Sequence, residues 1–140
     1  MGAGQPFTLC FFEWKEWIMV SAAVSLLVFG VYLVVMGLAF AFAPNTFLAM
    51  FGQPPTIEPW IRNAGVLMLA IGYYYIQVAR ADLSTFYMWT VYARLGTFAI
   101  FIFFVVLQWA PATLALFAAI DLLGGIWTYL AFKSRKPIAD

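Results

Sequence analysis

Residues 112–136, ATLALFAAIDLLGGIWTYLAFKSRK, combine a long apolar run with charge at two points. An apolar run holding one carboxylate, Asp121, is followed at once by Lys133, Arg135 and Lys136. About 20 helical residues cross the ~30 Å hydrocarbon core of a bilayer. The run is long enough to do so, and it therefore predicts a transmembrane helix that carries a buried acid.

The composition of the whole chain also indicates a protein embedded in lipid. Of the 140 residues, 66% are hydrophobic and only 9% are charged, and the mean hydropathy is +0.95. A water-soluble domain carries about 25% charged residues, so this chain lacks the polar surface that water requires. Its net charge of +1 offers no basic face for nucleic acid. We expect one transmembrane domain over residues 1–140.

The residue types that are missing exclude several kinds of site. The chain has no histidine and a single cysteine, Cys10. Histidine-ligated haem, histidine metal sites, Ser-His-Asp triads and Cys-His nucleophiles are therefore excluded within this chain, as is an intramolecular disulfide. We predict no catalytic residues, no metal and no resident cofactor, apart from a quinone or lipid as a ligand.

Stretches without charge divide the chain into four predicted membrane spans. They are residues 17–43, 59–79, 86–107 and 112–132. Prolines fall at the ends of these spans and never inside one, where they would remove a helical hydrogen bond. The first span is longer than a bilayer needs, so we expect it to tilt or to continue into the interface.

The connections predict how the spans are arranged. In the long first connection, APNTFLAMFGQPPTIEP, Asn45 could cap a short interfacial helix through Phe51, which Gly52 would end. The other two connections are short, so we expect consecutive spans to be antiparallel neighbours. The predicted fold is an all-α, up-down-up-down four-helix bundle.

The distribution of positive charge predicts the orientation. One side would carry five basic residues: Lys15, Arg80, Lys133, Arg135 and Lys136. The other side would carry Arg62 alone. By the positive-inside rule both termini are cytoplasmic in a bacterial inner membrane. Trp14, Trp17 and Trp89 would then mark the inner interface, and Trp60 and Trp109 the outer one.

Two opposite charges are predicted to meet inside the bundle. At 1.5 Å per residue, Arg94 lies ~12 Å and Asp121 ~17 Å above the inner boundary, and adjacent helices pack ~8–10 Å apart. A charge near a helix centre costs ~2.5–3.5 kcal/mol, which pairing offsets. Gly124, Gly125 and Thr128 share a helical face with Asp121 and would allow close approach.

The predicted Arg94–Asp121 pair has more than one interpretation. It can simply fix which helices face each other, since a buried pair can specify register while adding little stability. It can instead anchor a ligand head, with Thr128, Tyr92, Tyr73, Gly124 and Gly125 as lining residues, or form part of a proton path. A proton path usually needs a chain of titratable groups, which is not evident here.

Two further features have a structural interpretation beside the functional one. Glu58, Arg62 and Asn63 form a polar cluster at the outer end of the second span, where a solvated helix start is the simpler explanation. Gly30 and Gly37, like Gly65 and Gly72, are seven residues apart and lie nearly on one helix face. Such spacing lets backbones approach closely. It could also record a duplication.

Three segments carry a resemblance to a known grouping. RNAGVLMLAIGYYYIQVARAD (62–82), TVYARLGTF (90–98) and IDLLGGIWT (120–128) resemble segments of small bacterial four-helix membrane proteins of the DoxX-like and BphX-like families. The resemblance covers roughly residues 30 to 132 through apolar motifs of low specificity. It implies a four-helix bundle in a bacterial membrane, and it suggests a quinone as a ligand.

Two functions follow as hypotheses. The first is a non-catalytic subunit or assembly factor of a larger membrane complex, because the chain offers a partner mainly its lipid-facing surface. The second is a quinone- or lipid-binding protein that serves a redox partner, with a cavity between the helices. A transporter or an enzyme is less favoured, because only two charges lie deep in the spans.

Overall fold

The computed structural model describes the backbone of residues 7–134 and the side chains of residues 22–134. All the regular structure of the described residues is helical, and they contain no strand. The helices are α1 (Phe7–Phe42), α2 (Pro44–Met50), α3 (Pro59–Arg80), α4 (Ser84–Val106) and α5 (Thr113–Lys133). The all-helical prediction and the short helix after the first span are therefore confirmed.

Three of these helices are long and apolar enough to cross a membrane, namely α4, α5 and the part of α1 from Ala22 to Phe42. Four such helices had been predicted. The exception is α3, whose 22 residues extend for about 33 Å. This helix is less apolar than the others because it has polar residues near both ends, such as Arg62 and Gln77. Three consecutive tyrosines between them lower its hydropathy further.

The glycines of α1 and α3 bring the two backbones together. A Cβ atom added to Gly72 would lie 2.9 Å from the carbonyl oxygen of Gly30. One added to Gly65 would lie 2.8 Å from the carbonyl oxygen of Gly37 and 2.6 Å from the backbone nitrogen of Ala41. Any side chain at these positions would push the helices apart. Close packing thus accounts for the repeated glycine spacing.

The four long helices form a row rather than a closed ring. α1 packs against α3 on one side and against α5 on the other, and α4 packs against α5. α3 and α4 follow each other along the chain but make little contact. The prediction that these consecutive helices pack side by side is therefore wrong. A short connection brings their ends together, where the Tyr75 and Phe86 rings meet at 6.2 Å.

The two ends of the row are closed differently. At the end that holds the α3–α4 connection, a buried cluster includes Leu26, Tyr87 and Ala131. At the opposite end α2 lies across the helices, and Phe51 meets Phe117 of α5 with ring centroids 5.4 Å apart. The resulting aromatic group joins α1, α2 and α5 through Phe40, Phe47, Phe51 and Phe117.

Two predictions about the first connection have different outcomes. Asn45 does not cap α2, since no side chain caps that helix and its N-cap position is Ala43. The Asn45 side chain instead accepts a hydrogen bond from the backbone of Thr56 and holds the loop. Gly52 follows α2 with φ of +64°, in the left-handed region that favours glycine at a helix end.

Part of the predicted orientation concerns residues outside the described ones. These are the side chains of Trp14, Lys15 and Trp17, together with Arg135 and Lys136. Among the described basic residues, Arg80 and Lys133 each lie in the last turn of their helix, and both are exposed. The side of the membrane that these ends face remains a prediction.

Candidate functional site

An apolar cavity of about 790 Å³ lies between the helices. α1 and α5 form its back wall, α2 covers one end, and α3 and α4 flank it. Because α3 and α4 hardly touch, the side between them is open. The cavity is thus a cleft that faces sideways, toward the lipid that would surround the protein.

Each flanking helix contributes one helical face to the cleft. Apart from Trp60 in its first turn, the α3 residues that line it follow the spacing of a helix: Ile61, Ala64, Met68, Ile71 and Tyr75. On α4 the lining residues are Ala93, Arg94, Thr97 and Phe101. In a closed bundle these two faces would pack on each other. Here they border open space, which is what makes a cavity of this size.

Arg94 is the polar group most deeply placed in this cleft. It lies within α4 and is 2% exposed. Its guanidinium carbon stacks 3.6 Å from the centre of the Phe29 ring and lies 5.4 Å from that of Tyr75. Such a cation–π contact is worth ~0.5–2 kcal/mol. It offsets only part of the cost of holding an arginine away from water.

The paired glycines of α5 provide the space that Arg94 occupies. A Cβ atom at Gly124 would lie 2.5 Å from Nη1 of Arg94. A Cβ atom at Gly125 would lie 3.6 Å from the Cβ atom of Arg94. The arginine therefore lies flat across the surface of α5. The two glycines that the sequence associated with Asp121 in fact accommodate Arg94.

The predicted direct ion pair between Arg94 and Asp121 is not formed. None of the three guanidinium nitrogens has a hydrogen-bond partner among the described residues, although all three are buried. Asp121 is half-buried, lines the same cleft and is near enough to attract Arg94 electrostatically. The Phe29 ring and the two glycines hold the guanidinium against α5, so the charges share a cavity without a direct contact.

Thr128, Tyr92 and Tyr73 were predicted to line a ligand site, and none of them lines this cleft. Thr128 is fully buried, and its hydroxyl lies 2.9 Å from that of Ser25. This contact joins α5 to α1. Tyr92 and Tyr73 are 65% and 57% exposed and face away from the cleft. Of the three consecutive tyrosines it is Tyr75 that turns inward.

The outer polar cluster of Glu58, Arg62 and Asn63 does not line the cleft, and its arginine contacts the end of α1. Arg62 donates a hydrogen bond of 2.6 Å to the carbonyl oxygen of Ala41, one of the last carbonyls of α1. Glu58 occupies the N-cap position of α3, and both it and Asn63 are exposed. These contacts agree with the structural interpretation of Glu58, Arg62 and Asn63.

Sequence reasoning missed the aromatic surroundings of Arg94. Phe29 is 65 residues away along the chain, and its apolar neighbours give no sign that it stacks on a charge. Thr97 and Phe101 could have been found, because they lie three and seven residues after Arg94 on the same helical face. The same periodicity excludes Tyr92, which lies on the opposite side of α4.

The cleft can hold an elongated apolar molecule and present charged groups to its polar end. Within residues 22–134, no three side chains of His, Cys, Asp or Glu come together in a way that could bind a metal ion. No family model matches the chain, and no match was found among curated proteins or solved structures.

Proposed function

We propose that this protein is an integral membrane protein that binds a lipid-soluble molecule in the cleft between α3 and α4. The observation that carries the proposal is the buried guanidinium of Arg94, which makes no hydrogen bond of normal geometry to a described residue, although Tyr75 and Asp121 lie nearby. Buried polar groups in folded proteins almost always have partners. A ligand head with hydrogen-bond acceptors would supply the missing one.

The shape of the cleft supports the same function. Its volume of about 790 Å³ falls within the range of about 300–1,000 Å³ that is usual for ligand sites. Ligands of helical bundles bind between facing helices, and a lateral opening suits a molecule that arrives from the bilayer. A quinone meets these requirements, as does a single-chain lipid.

The proposal includes α3 as the fourth membrane span. This helix packs along α1, which is apolar enough to cross. Arg62 and Arg80 lie near opposite ends of α3, where long cationic side chains can reach the interface. Its remaining polar side chains include tyrosines, which a membrane span tolerates best close to the interface.

The proposal predicts different effects for two arginines. Arg94→Met removes the donors but keeps a long apolar side chain against Phe29. Organic extraction and mass spectrometry of protein purified in mild detergent should find a near-stoichiometric lipid or quinone in the wild type and at least tenfold less in this variant. The matched control, Arg80→Met, changes an exposed arginine at the end of α3 and should keep the ligand.

The stability of the Arg94→Met variant should show whether Arg94 binds a ligand or holds the fold together. Because the nitrogens of Arg94 have no partner in the described residues, Arg94→Met should leave the ligand-free protein as stable as the wild type or make it more stable. Equal ligand content in the wild type and in Arg94→Met would refute the proposed site. If Arg94→Met fails to fold while Arg80→Met folds normally, the role of Arg94 is structural.

A second candidate is the accessory subunit of a larger membrane complex. The observation that favours it is the open side of the helix row, because a transmembrane helix of a partner could cover the faces of α3 and α4 that do not pack on each other. A native gel in mild detergent tests this directly. A stable complex with another membrane protein is expected if it holds, and a lone monomer would contradict it.

A further inference from the structure

The charged groups of the cleft are the basis of a narrower inference about its ligand, which rests on the function proposed above. Among the described side chains that line the cleft, Arg94 and Asp121 are the charged ones. One is on α4 and the other on α5, and within residues 22–134 neither α1, α2 nor α3 contributes a further charge. The two formal charges cancel, so this described lining is neutral.

We infer that the ligand of this cleft has an uncharged head that both donates and accepts hydrogen bonds, such as the hydroxyl head of a long-chain alcohol or monoacylglycerol. A charged head would leave the cleft with a net charge. An uncompensated charge is costly in an apolar environment that excludes water. A neutral head keeps the balance that Arg94 and Asp121 already provide.

The two side chains also set the hydrogen-bonding character of the head. A guanidinium only donates hydrogen bonds, and an ionised carboxylate only accepts them. A head placed between Arg94 and Asp121 must therefore accept from the first and donate to the second. A hydroxyl group does both with one oxygen. An ether or an ester has acceptors alone and would leave the carboxylate without a partner.

The rest of the cleft fits the tail of such a molecule. From the level of Arg94 toward α2 the lining is apolar, with Met36, Met68, Phe101 and Leu114 among its residues. Gln53 in the loop after α2 is one of few polar groups along that path. The ligand would thus lie with its head at Arg94 and its tail toward α2 or out between α3 and α4.

Four probes with the same oleyl chain test the inference. Oleyl alcohol is neutral with a donor and an acceptor, and oleyl methyl ether is neutral with an acceptor only. Oleyl sulfate is a permanent anion, and oleyl trimethylammonium is a permanent cation. Each is added at the same mole fraction to the full-length protein in nanodiscs, and native mass spectrometry measures the bound fraction. Wild-type protein should bind the alcohol at least tenfold better than either ion and better than the ether.

Two variants should shift this preference in opposite directions. Asp121→Asn leaves the cleft positive and should favour the sulfate, whereas Arg94→Met leaves it negative and should favour the trimethylammonium probe. Arg80→Met should behave like the wild type. If a variant fails to fold, the binding of the four probes by the wild-type protein is sufficient to test whether the ligand head is neutral.

The outcomes distinguish this inference from the proposal on which it rests. Wild-type protein that binds the sulfate as well as the alcohol would overturn the neutral head and leave the cleft as a binding site. An equal preference for alcohol and ether would overturn the need for a donor. Binding of no probe by the wild type, with unchanged behaviour in Arg94→Met, would overturn the proposed function itself.

Discussion

At the scale of single residues, Arg94 is held by apolar contacts and not by an opposite charge. The Phe29 ring covers one face of the guanidinium, and Gly124 and Gly125 allow its other face to lie against α5. This arrangement positions five donors at a cavity wall, and none of them makes a hydrogen bond to a described residue. It suits recognition of a ligand better than it suits stability.

Gly124→Ala tests how Arg94 is held. The new methyl group would lie 2.5 Å from Nη1 of Arg94, so the guanidinium must leave its present position between α5 and Phe29. We expect the ligand content to fall severalfold. The unfolding free energy should change by less than about 1 kcal/mol, because a flexible side-chain end can shift more easily than backbone can.

The control for this variant is Gly96→Ala. Nothing lies within 4 Å of a Cβ atom at Gly96 on α4, so ligand content and stability should both be kept. Ligand content measured by mass spectrometry decides the result. Full ligand content in Gly124→Ala would contradict the role assigned to the Arg94 side chain.

Thr128→Val tests whether Thr128 acts in packing or in binding. The substitution removes the hydroxyl that contacts Ser25 and donates to the carbonyl of Gly124, whereas the Ser25 hydroxyl still donates to the carbonyl of Ala22. Hydrogen bonds between membrane helices average about 0.6 kcal/mol, so thermal unfolding in detergent should show a loss of that order. Ligand content should not change. A loss of ligand as large as that in Arg94→Met would place Thr128 in the site.

At the scale of helices, the tightest packing lies between α1 and α3. Their glycines meet in two pairs, Gly30 with Gly72 and Gly37 with Gly65, along antiparallel backbones. Close backbone approach is the main source of stability between membrane helices, because lipid gives no hydrophobic advantage to their association. We therefore expect this pair of helices to be the most rigid part of the molecule.

Gly65→Ala should be more destabilising than Gly124→Ala. Its methyl group would meet backbone atoms of α1 at 2.6 and 2.8 Å, and backbone can yield only if the helices separate. Overpacking of this kind costs typically 1–3 kcal/mol. Unfolding in mixed detergent micelles should show the loss, with Gly96→Ala as the control. Wild-type stability in Gly65→Ala would show that α1 and α3 lie farther apart than described.

The ends of several helices could be predicted from the sequence, whereas the way the helices pack on one another could not. Prolines and charges marked the ends of α3 and α5 to within a residue or two. The first membrane span was predicted to begin at residue 17, and helix α1 extends beyond it to Phe7, through residues that mix charged and aromatic side chains. The cleft between α3 and α4 could not be predicted from the sequence. A helix face that borders a cavity, lipid or another helix is apolar in each case, so its residue types do not distinguish these surroundings.

At the scale of the whole molecule, the row of helices determines where a ligand can enter. α1 and α5 form the centre of the row, and α3 and α4 are its two edges. The site between the edges is reached from the side, while α2 covers one end. Access of this kind is useful for a molecule that is dissolved in the bilayer and absent from water.

Thiol labelling tests whether α3 crosses the membrane. In a Cys10→Ser background, single cysteines replace Thr56, Ser84, Gln108 or Ser134, which lie at or beyond the ends of helices. An impermeant thiol reagent is applied to sealed vesicles of known orientation. Four spans predict that positions 56 and 108 are on one side and that 84 and 134 are on the other. Labelling of 56 and 84 from the same side would show that α3 does not cross.

A cryo-EM structure of the purified protein in a lipid nanodisc would show whether a ligand occupies the cleft beside Arg94. We predict continuous elongated density in the cleft, with its polar end within hydrogen-bond distance of the Arg94 guanidinium and its tail directed toward α2 or out between α3 and α4. An empty cleft closed by packing of α3 on α4, with Arg94 bonded directly to Asp121, would contradict the account.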